Sequence, residues 1–323
     1  MHGTLLRLLL FACIAFGVHD ARAQRYPSQA IRLVAPQAPG GQADVIARVI
    51  GQKLGELVQQ PIVIVNHGGA GGTVGAEMVA KAPADGYTLL LGGSNNLALA
   101  VALRPDLPYD PLRSFVAIRA VARVAYGLAV NPKLPVSTVA ELVTYARANP
   151  GRLNFGSSGT GSTSNLGAEM LKSAAAVDIV HIPYNGSAPA VAALIAGQID
   201  MMFADLSLLL PHARAGALRL VAAAGARRAA AAPDLPTVAE QGVPGFDLDA
   251  WYGIVAPAGT PGEATVTLRD ALSAALRAPE FRQRLERLGY DPIDDATGLD
   301  VTIRSDIEKY SALVKRANIK PAP

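Results

Sequence analysis

Cysteine is nearly missing from this sequence: the 323-residue chain has one, Cys13, inside an apolar N-terminal stretch. No disulfide framework can form, so the fold has to rest on its hydrophobic core, and the length suffices for two domains. Histidine is also sparse. Beyond the first 23 residues stand His67, His181 and His212, far apart and with no pair at metal-ligand spacing, so no metal site is expected. Positive charge is not concentrated. The 29 Lys and Arg face 26 Asp and Glu, and no basic cluster goes beyond Arg227-Arg228, which argues against nucleic acid as a partner. After the N-terminus no apolar run reaches membrane-spanning length without glycine, proline or charge, so the mature form is expected to be soluble. The signatures of nucleotide and acyl chemistry are incomplete as well. Gly-Lys-Ser/Thr of a Walker loop does not occur, Gly69-x-Gly71 has Val74 where a dinucleotide fingerprint needs glycine, and the Gly-x-Ser-x-Gly elbow around Ser158 ends on Thr160. No cofactor is expected.

What is present begins with a leader. Arg7 supplies a positive flank, Leu8 to Val18 is apolar, and Ala21-Arg22-Ala23 offers a small-x-small cleavage site. The apolar part falls short of the roughly 20 residues needed to span a bilayer. Residues 1–23 therefore read as a secretory signal cleaved after Ala23, which places the protein in a bacterial-type periplasm. A lipid anchor on Cys13 is the alternative; Phe11 before it and the later Ala-x-Ala site argue against that. The mature chain keeps 27 basic and 25 acidic side chains, close to neutrality.

Strand-like and helix-like segments alternate throughout. Ile31–Ala35 precedes a helix over 44–57, Pro61–Val65 precedes a helix over 73–81, and strand 87–91 runs into the polar loop Gly92-Gly93-Ser94-Asn95-Asn96. This order predicts an α/β fold with a mostly parallel sheet, whose ligands sit beyond the carboxyl ends of the strands. A second α/β unit begins near Ala129-Val130, with a helix over 139–149 capped by Ser137, strand 153–155, helix 165–174, strand 177–182, helix 188–196 and strand 199–204 ending at Asp205. The tail from Trp251, strand 253–256 and helices over 263–277, 279–288 and 299–317, is too small to stand alone and packs back on the first unit. The division is 24–127 with 248–323, and 128–247.

Two loops stand out. Pro39-Gly40-Gly41-Gln42-Ala43-Asp44 joins a buried strand to a helix whose first N–H groups are unpaired, a ready anion site; an ordinary βα connection capped by Asp44 is the other reading. Gly156-Ser157-Ser158-Gly159-Thr160-Gly161-Ser162-Thr163-Ser164 is the densest polar stretch in the mature chain and suits a small carboxylate. Asp205, at a strand's carboxyl end, either accepts from a ligand's amino or hydroxyl group or caps the next turn. Ser94 and Asn95 share that edge, and Tyr184, Trp251 and Tyr252 suit either a cleft wall or the core. His181, within an apolar strand pattern, reads as a structural histidine.

In their order these pieces resemble the Bug receptors, the extracytoplasmic solute receptors of the tripartite tricarboxylate transporter family. The matching residues are Pro39-Gly40-Gly41-x-x-Asp44-x-x-Ala47-Arg48, Val63-x-Val65-Asn66 with Gly69-Ala70-Gly71-Gly72, Ala84-Asp85-Gly86-Tyr87-Thr88-Leu89 and Leu107-Pro108-Tyr109-Asp110-Pro111. After the glycine/serine loop follow His181-Ile182-Pro183-Tyr184, Ala188-Pro189-Ala190, Gly197-Gln198-Ile199-Asp200 and Ala256-Pro257-Ala258-Gly259-Thr260-Pro261. The resemblance implies a two-domain periplasmic binding protein of the type II-like, Venus-flytrap kind, hinged by crossover strands and monomeric, that closes on a small organic acid or amino-acid-like ligand for a membrane transporter or a sensor ectodomain. Carried over, it puts Pro39, Gly40, Gly41 and Asp44 on one wall and Ser157, Ser158, Thr160, Gly161 and Ser162 on the other. This chain departs at Asn95-Asn96-Leu97, where many relatives have Thr-His-Ala, at Tyr184-Asn185-Gly186 for Tyr-Lys-Gly, and at His67-Gly68 for Arg-Pro. Those changes remove cationic or titratable groups and favour a monocarboxylate, an amino acid or an amide-like ligand over a tricarboxylate. The rival readings are an exported α/β hydrolase with Ser158 or Ser162 beside a histidine, and a structural or adhesive secreted protein without a ligand.

Overall fold

One strand links the two halves of the molecule. The computed structural model describes residues 26–184, 186–293 and 298–316; the leader and Asn185 lie outside the described residues. Among the described residues the strands are β1 (Ile31–Ala35), β2 (Ile62–Asn66), β3 (Thr88–Gly93), β4 (Phe115–Val130), β5 (Asn154–Ser157), β6 (Val180–Pro183), β7 (Met201–Asp205), β8 (Arg219–Ala223), β9 (Asp249–Pro257) and β10 (Tyr290–Pro292). They form a continuous sheet in the order β2-β1-β3-β9-β4-β7-β5-β6, with β8 and β10 also paired to β4. β4 has 16 residues, about 50 Å of extended chain. Its residues up to Ala125 pair antiparallel with β9, and from Tyr126 onward it pairs with β7.

The two halves repeat one plan. In the first, β2, β1 and β3 are parallel and β9 runs antiparallel beside β3. In the second, β6, β5 and β7 are parallel and β4 runs antiparallel beside β7. A type II-like, two-domain binding-protein architecture follows, with β4 and β9 as the strands that cross. β4 and β9 keep pairing through two register shifts, at 117/119 and 120/122, which bend the long ribbon without breaking it.

The helices cover this sheet because their apolar residues recur at helical spacing. On α1 (Gln42–Val58) Ala43, Ile46, Ala47, Ile50 and Leu54 are buried, one stripe facing β1 and β2. The others are α2 (Thr73–Ala80), α3 (Ala100–Leu103), α4 (Val139–Ala148), α5 (Thr163–Ala175), α6 (Ser187–Ala196), α7 (Leu206–Arg214), α8 (Gly262–Arg277), α9 (Pro279–Arg287) and α10 (Leu299–Arg316). α4 corrects the expected cap. Thr138, not Ser137, accepts from Glu141 N–H at 3.1 Å, and Glu141 Oε2 accepts from Ser137 N–H at 2.6 Å. With the cap one residue later, Thr138-x-x-Glu141 has regular capping-box spacing. Ala229–Ala232 lies in irregular structure, with a turn at 230–231. α10 fastens the crossing: Tyr310 Oη donates to the Asp249 carbonyl at 2.9 Å, Trp251 Nε1 donates to Asp306 at 2.7 Å, and Lys309 pairs with Asp247.

α5 lies close on β7 at Gly167. A Cβ there would sit 2.4 Å from Leu248 Cδ2 and 3.0 Å from Phe203 Cγ. Alanine should gain up to ~1 kcal/mol in helix propensity, but overpacking a core costs about 1–3 kcal/mol. Gly167→Ala is therefore expected to lower the urea midpoint, and a raised midpoint would show the contact to be slack.

Candidate functional site

The first loop is shaped from within. Gly40 has φ +78°, a left-handed conformation that glycine adopts without a Cβ penalty. Gln37 Oε1 accepts from Ala43 N–H and Asp44 Oδ2 from Gly40 N–H, each at 2.9 Å. Asn66, at the end of β2, donates to Asp44 Oδ1 at 2.9 Å and to the Gln37 carbonyl at 3.1 Å. Arg48 completes the clasp, with Nε 3.0 Å from Oδ2 and Nη2 2.8 Å from Oδ1. Both Asp44 oxygens are thus engaged in holding the loop. Pro39 and Gly40 are exposed at its tip. Bonded first to the Arg48 guanidinium and then to the Gly40 and Asn66 donors, the Asp44 carboxyl is held down at about 2. The N–H of Gln42, the first residue of α1, has no hydrogen-bond partner among the described residues.

The second loop repeats the device with hydroxyls. Ser164 Oγ accepts from Ser158 N–H at 2.8 Å and lies 3.0 Å from Ser158 Oγ and 2.9 Å from Ser162 Oγ. Ser162 caps α5, accepting from Asn165 N–H at 3.3 Å, while its hydroxyl donates to the Gly159 carbonyl at 2.6 Å. Gly161, at φ +75°, donates its N–H to Asn165 Oδ1 at 3.1 Å. Thr160 is exposed at the tip. Tyr184, half-buried, donates its N–H to the Ser157 carbonyl at 3.0 Å. The N–H groups of Thr163 and Ser164, at the head of α5, have no partner among the described residues.

One serine does meet a histidine, but it is Ser157 rather than Ser158 or Ser162. Its Oγ lies 2.7 Å from His181 Nε2. Ser157 is fully buried, so no substrate carbonyl reaches it. The His181 ring is stacked on Phe155 at 4.7 Å, and burial followed by the charge of Lys172 lowers its pKa, opposing the imidazolium that a general base must become. His181 is thus tied to Phe155 and Ser157 at the base of the loop.

The loops of the two halves meet. Thr163, the first residue of α5, donates its hydroxyl to Asn95 Oδ1 at the end of β3. Reciprocally, Gln42 lies beside Asp205 at the end of β7 and helps hold the Asp205 charge. Burial raises the Asp205 carboxyl to about 6, against hydrogen bonding from Gln42 and Tyr126. Even so, Gln42 Nε2 and Asp205 Oδ1 are both buried without a partner in hydrogen-bond geometry. Burial first, with the Asp205 charge among the lesser causes, raises the pKa of the Tyr126, Tyr252 and Tyr290 hydroxyls. Ser94 is buried nearby, where its Oγ accepts from Trp251 N–H at 2.9 Å and ties β9 to the end of β3. Gln42, Thr163, Tyr126 and Tyr290 were not singled out in the sequence. Gln42 and Thr163 were hidden because the helices begin there, two residues before the expected starts at Asp44 and Asn165.

No group of His, Cys, Asp and Glu able to hold a metal occurs among the described residues, and no helix among them is long and apolar enough to cross a membrane. Two α/β halves with facing helix N-termini define a solute-binding receptor. Residues 46–319 match the family model of the tripartite tricarboxylate transporter family receptor, and the chain belongs to that family. The protein BugT of Bordetella pertussis is 34% identical over 303 residues, 92% of each chain. The R. palustris protein Rpa4515, solved with adipate, is 34% identical with a TM-score of 0.84, covering 92% of this chain and all of that one. MatC from Rhodopseudomonas palustris, solved with bound malate, is 33% identical with a TM-score of 0.79, covering 90% of this chain and all of that one.

The Asp44 clasp makes a pH signature. Its folded pKa, about 2, lies below the ordinary 3.8, so its ionised form stabilises the fold above about pH 4 and that contribution fades as pH falls from 4 towards 2. Arg48 is 57% exposed, so solvent screens the pair and the effect is modest. Asp44→Asn should melt below the parent at pH 6, with a gap that narrows as the melts are taken towards pH 2.5. A gap independent of pH would remove the charge from the account.

Proposed function

We propose that this chain is a periplasmic receptor that captures a small carboxylate-bearing solute between its halves and presents it to a membrane transporter component or a sensor ectodomain. The observation that carries this reading is the reciprocal contact of helix heads: α1 reaches the end of β7 through Gln42, and α5 reaches the end of β3 through Thr163. Two helix N-termini thereby bring their free N–H groups and positive dipole ends to one seam, a site for an anion that needs no lysine or arginine. Relatives solved with adipate and malate support the carboxylate class. The walls are Pro39, Gly40, Gly41 and Ala43 with Asp44 behind them, and Ser157, Ser158, Thr160, Gly161 and Ser162, with Ser94, Asn95, Tyr184 and Asp205 at the strand ends. Residues 1–23 act as an export signal removed after Ala23. The mature monomer divides into 24–127 with 248–323, and 128–247, hinged where β4 and β9 cross; it binds and does not catalyse.

Closure is the mechanism. Each half offers part of the donor set, so the ligand favours the population in which both are present. Thr163→Val keeps the shape and deletes the hydroxyl that bridges to Asn95. A typical hydrogen bond contributes about 1 kcal/mol net, so affinity for a dicarboxylate such as malate or adipate should fall roughly fivefold with the unliganded fold unchanged. Trp251, the single tryptophan, lies on β9 and should report closure in fluorescence titrations. Unchanged affinity in the variant would place the closing contact elsewhere, and no response to any small carboxylate would remove the receptor reading.

A further inference from the structure

A groove of about 470 Å³ opens between α1 and α9. Val45 and Val49, one turn apart on α1, and Leu288, at the end of α9, give it an apolar floor. Its polar lining is Arg48, Arg284 and Arg287, all exposed, and none of the lining residues is acidic. Helix surfaces that only face water commonly pair such arginines with acids one turn away. Here Glu280, four residues before Arg284, turns to Lys53 instead, and position 283, four before Arg287, is Gln. Glu286, the other acid of α9, does not line the groove. Arg284 donates to the neutral Gln52 Oε1 at 2.9 Å, and Arg287 has no ion-pair partner among the described residues. Asp44 offsets Arg48, which leaves two positive charges beside an apolar depression. Such a depression with a polar rim marks an interaction site.

We propose that this groove is where the receptor's recipient docks, through an acidic amphipathic segment that sets carboxylates on Arg284 and Arg287 and apolar side chains on the floor. The inference rests on the receptor reading above and gives its membrane or sensor partner a place and a chemistry. Arginine beside apolar side chains suits a protein interface, because the planar guanidinium takes a carboxylate in two bonds while its stem packs. Opposite charge also speeds the encounter of the two surfaces. The groove adjoins the seam between the halves. Gly289 follows Leu288 at φ +81° and lies so close to α7 of the second half that a Cβ there would sit 2.3 Å from Ser207 Cβ. Tyr290 Oη donates to the Gln42 carbonyl, at the head of α1, at 3.2 Å. A partner seated on Leu288 therefore touches a segment held by both halves, and its affinity depends on their being together.

The test is fluorescence polarisation of the mature protein, at low ionic strength, with a labelled peptide of glutamate and leucine at helical spacing. Beside it stand a copy with lysine for every glutamate and a copy with serine for every leucine. A panel of small carboxylates including malate and adipate is titrated calorimetrically into the same proteins. The glutamate–leucine peptide should bind, and more tightly once the protein is saturated with a carboxylate that binds; each copy should bind about tenfold more weakly or not at all. Arg284→Glu combined with Arg287→Glu should lower the peptide's affinity about tenfold or more and raise that of the lysine copy, with carboxylate affinity unchanged. Val45→Ser should weaken the peptide while keeping its preference over the lysine copy. Equal binding of the three peptides, no loss in the charge-reversed variant, or an affinity indifferent to bound carboxylate overturns the docking surface while the receptor reading stands. Binding to phosphatidylglycerol vesicles that charge reversal abolishes, with no peptide bound, gives the arginines to a lipid surface and overturns it too. If no carboxylate of the panel binds, the receptor reading fails and the groove has no recipient.

Discussion

The structure depends on a reciprocal contact: the first residue of a helix in each half meets the last residues of a strand in the other. It follows from the repeated strand plan, which puts equivalent loops at equivalent sheet edges and turns the two edges towards each other. Remove that facing, and two ordinary βα connections remain, each with a few unpaired N–H groups in water. With it, α5 is tied to the end of β3 through Thr163 and α1 to the end of β7 through Gln42. The crossing strands β4 and β9, strapped by α10 through Tyr310, Trp251 and Lys309, fix the distance between the halves.

The electrostatics of this seam are those of dipoles rather than ions. In the first loop Arg48 is the cation, but Asp44 neutralises it, and the pair serves to hold Gly40 and Asn66 in place. In the second, Ser164 gathers the Ser158 and Ser162 hydroxyls into a network that sets the loop's shape. Side-chain polarity is thus largely committed to preorganising the backbone, and the N–H groups of Gln42, Thr163 and Ser164 stay without partners among the described residues. Such donors have fixed positions and need no reorganisation when an anion arrives, and bridging waters cost little where the fit is incomplete.

The strands and both loops were legible because buried parallel strands read as short apolar runs and glycine/serine clusters interrupt them. Helix starts were not. Gln42-Ala43 and Thr163-Ser164 carry polar or small residues that look like loop, and only packing decides that the first turn begins there. β4 was visible only at its end, Ala129-Val130. Its arginines at 119 and 123 interrupt the apolar pattern, and nothing local announces a strand that changes partners midway between two sheets. β10, three residues long, and the π-helical turn Asn95–Leu99 after β3 are likewise products of tertiary context. Asp205 could be seen at the end of an apolar run, but whether it capped the next helix or stayed open could not. It heads α7 without a side-chain capping bond, because its carboxylate turns to Tyr126 and the other half instead.

That choice sets stability against function. A carboxylate at a helix start normally finds N–H donors one turn on and strengthens the helix. Here the bond is forgone and the acid is desolvated, with the Gln42 amide and the Tyr126 hydroxyl opposing that cost. Tyr126, which bonds to Asp205, is also the residue at which β4 passes from β9 to β7. The acid therefore stands where the long strand passes from one half of the sheet to the other.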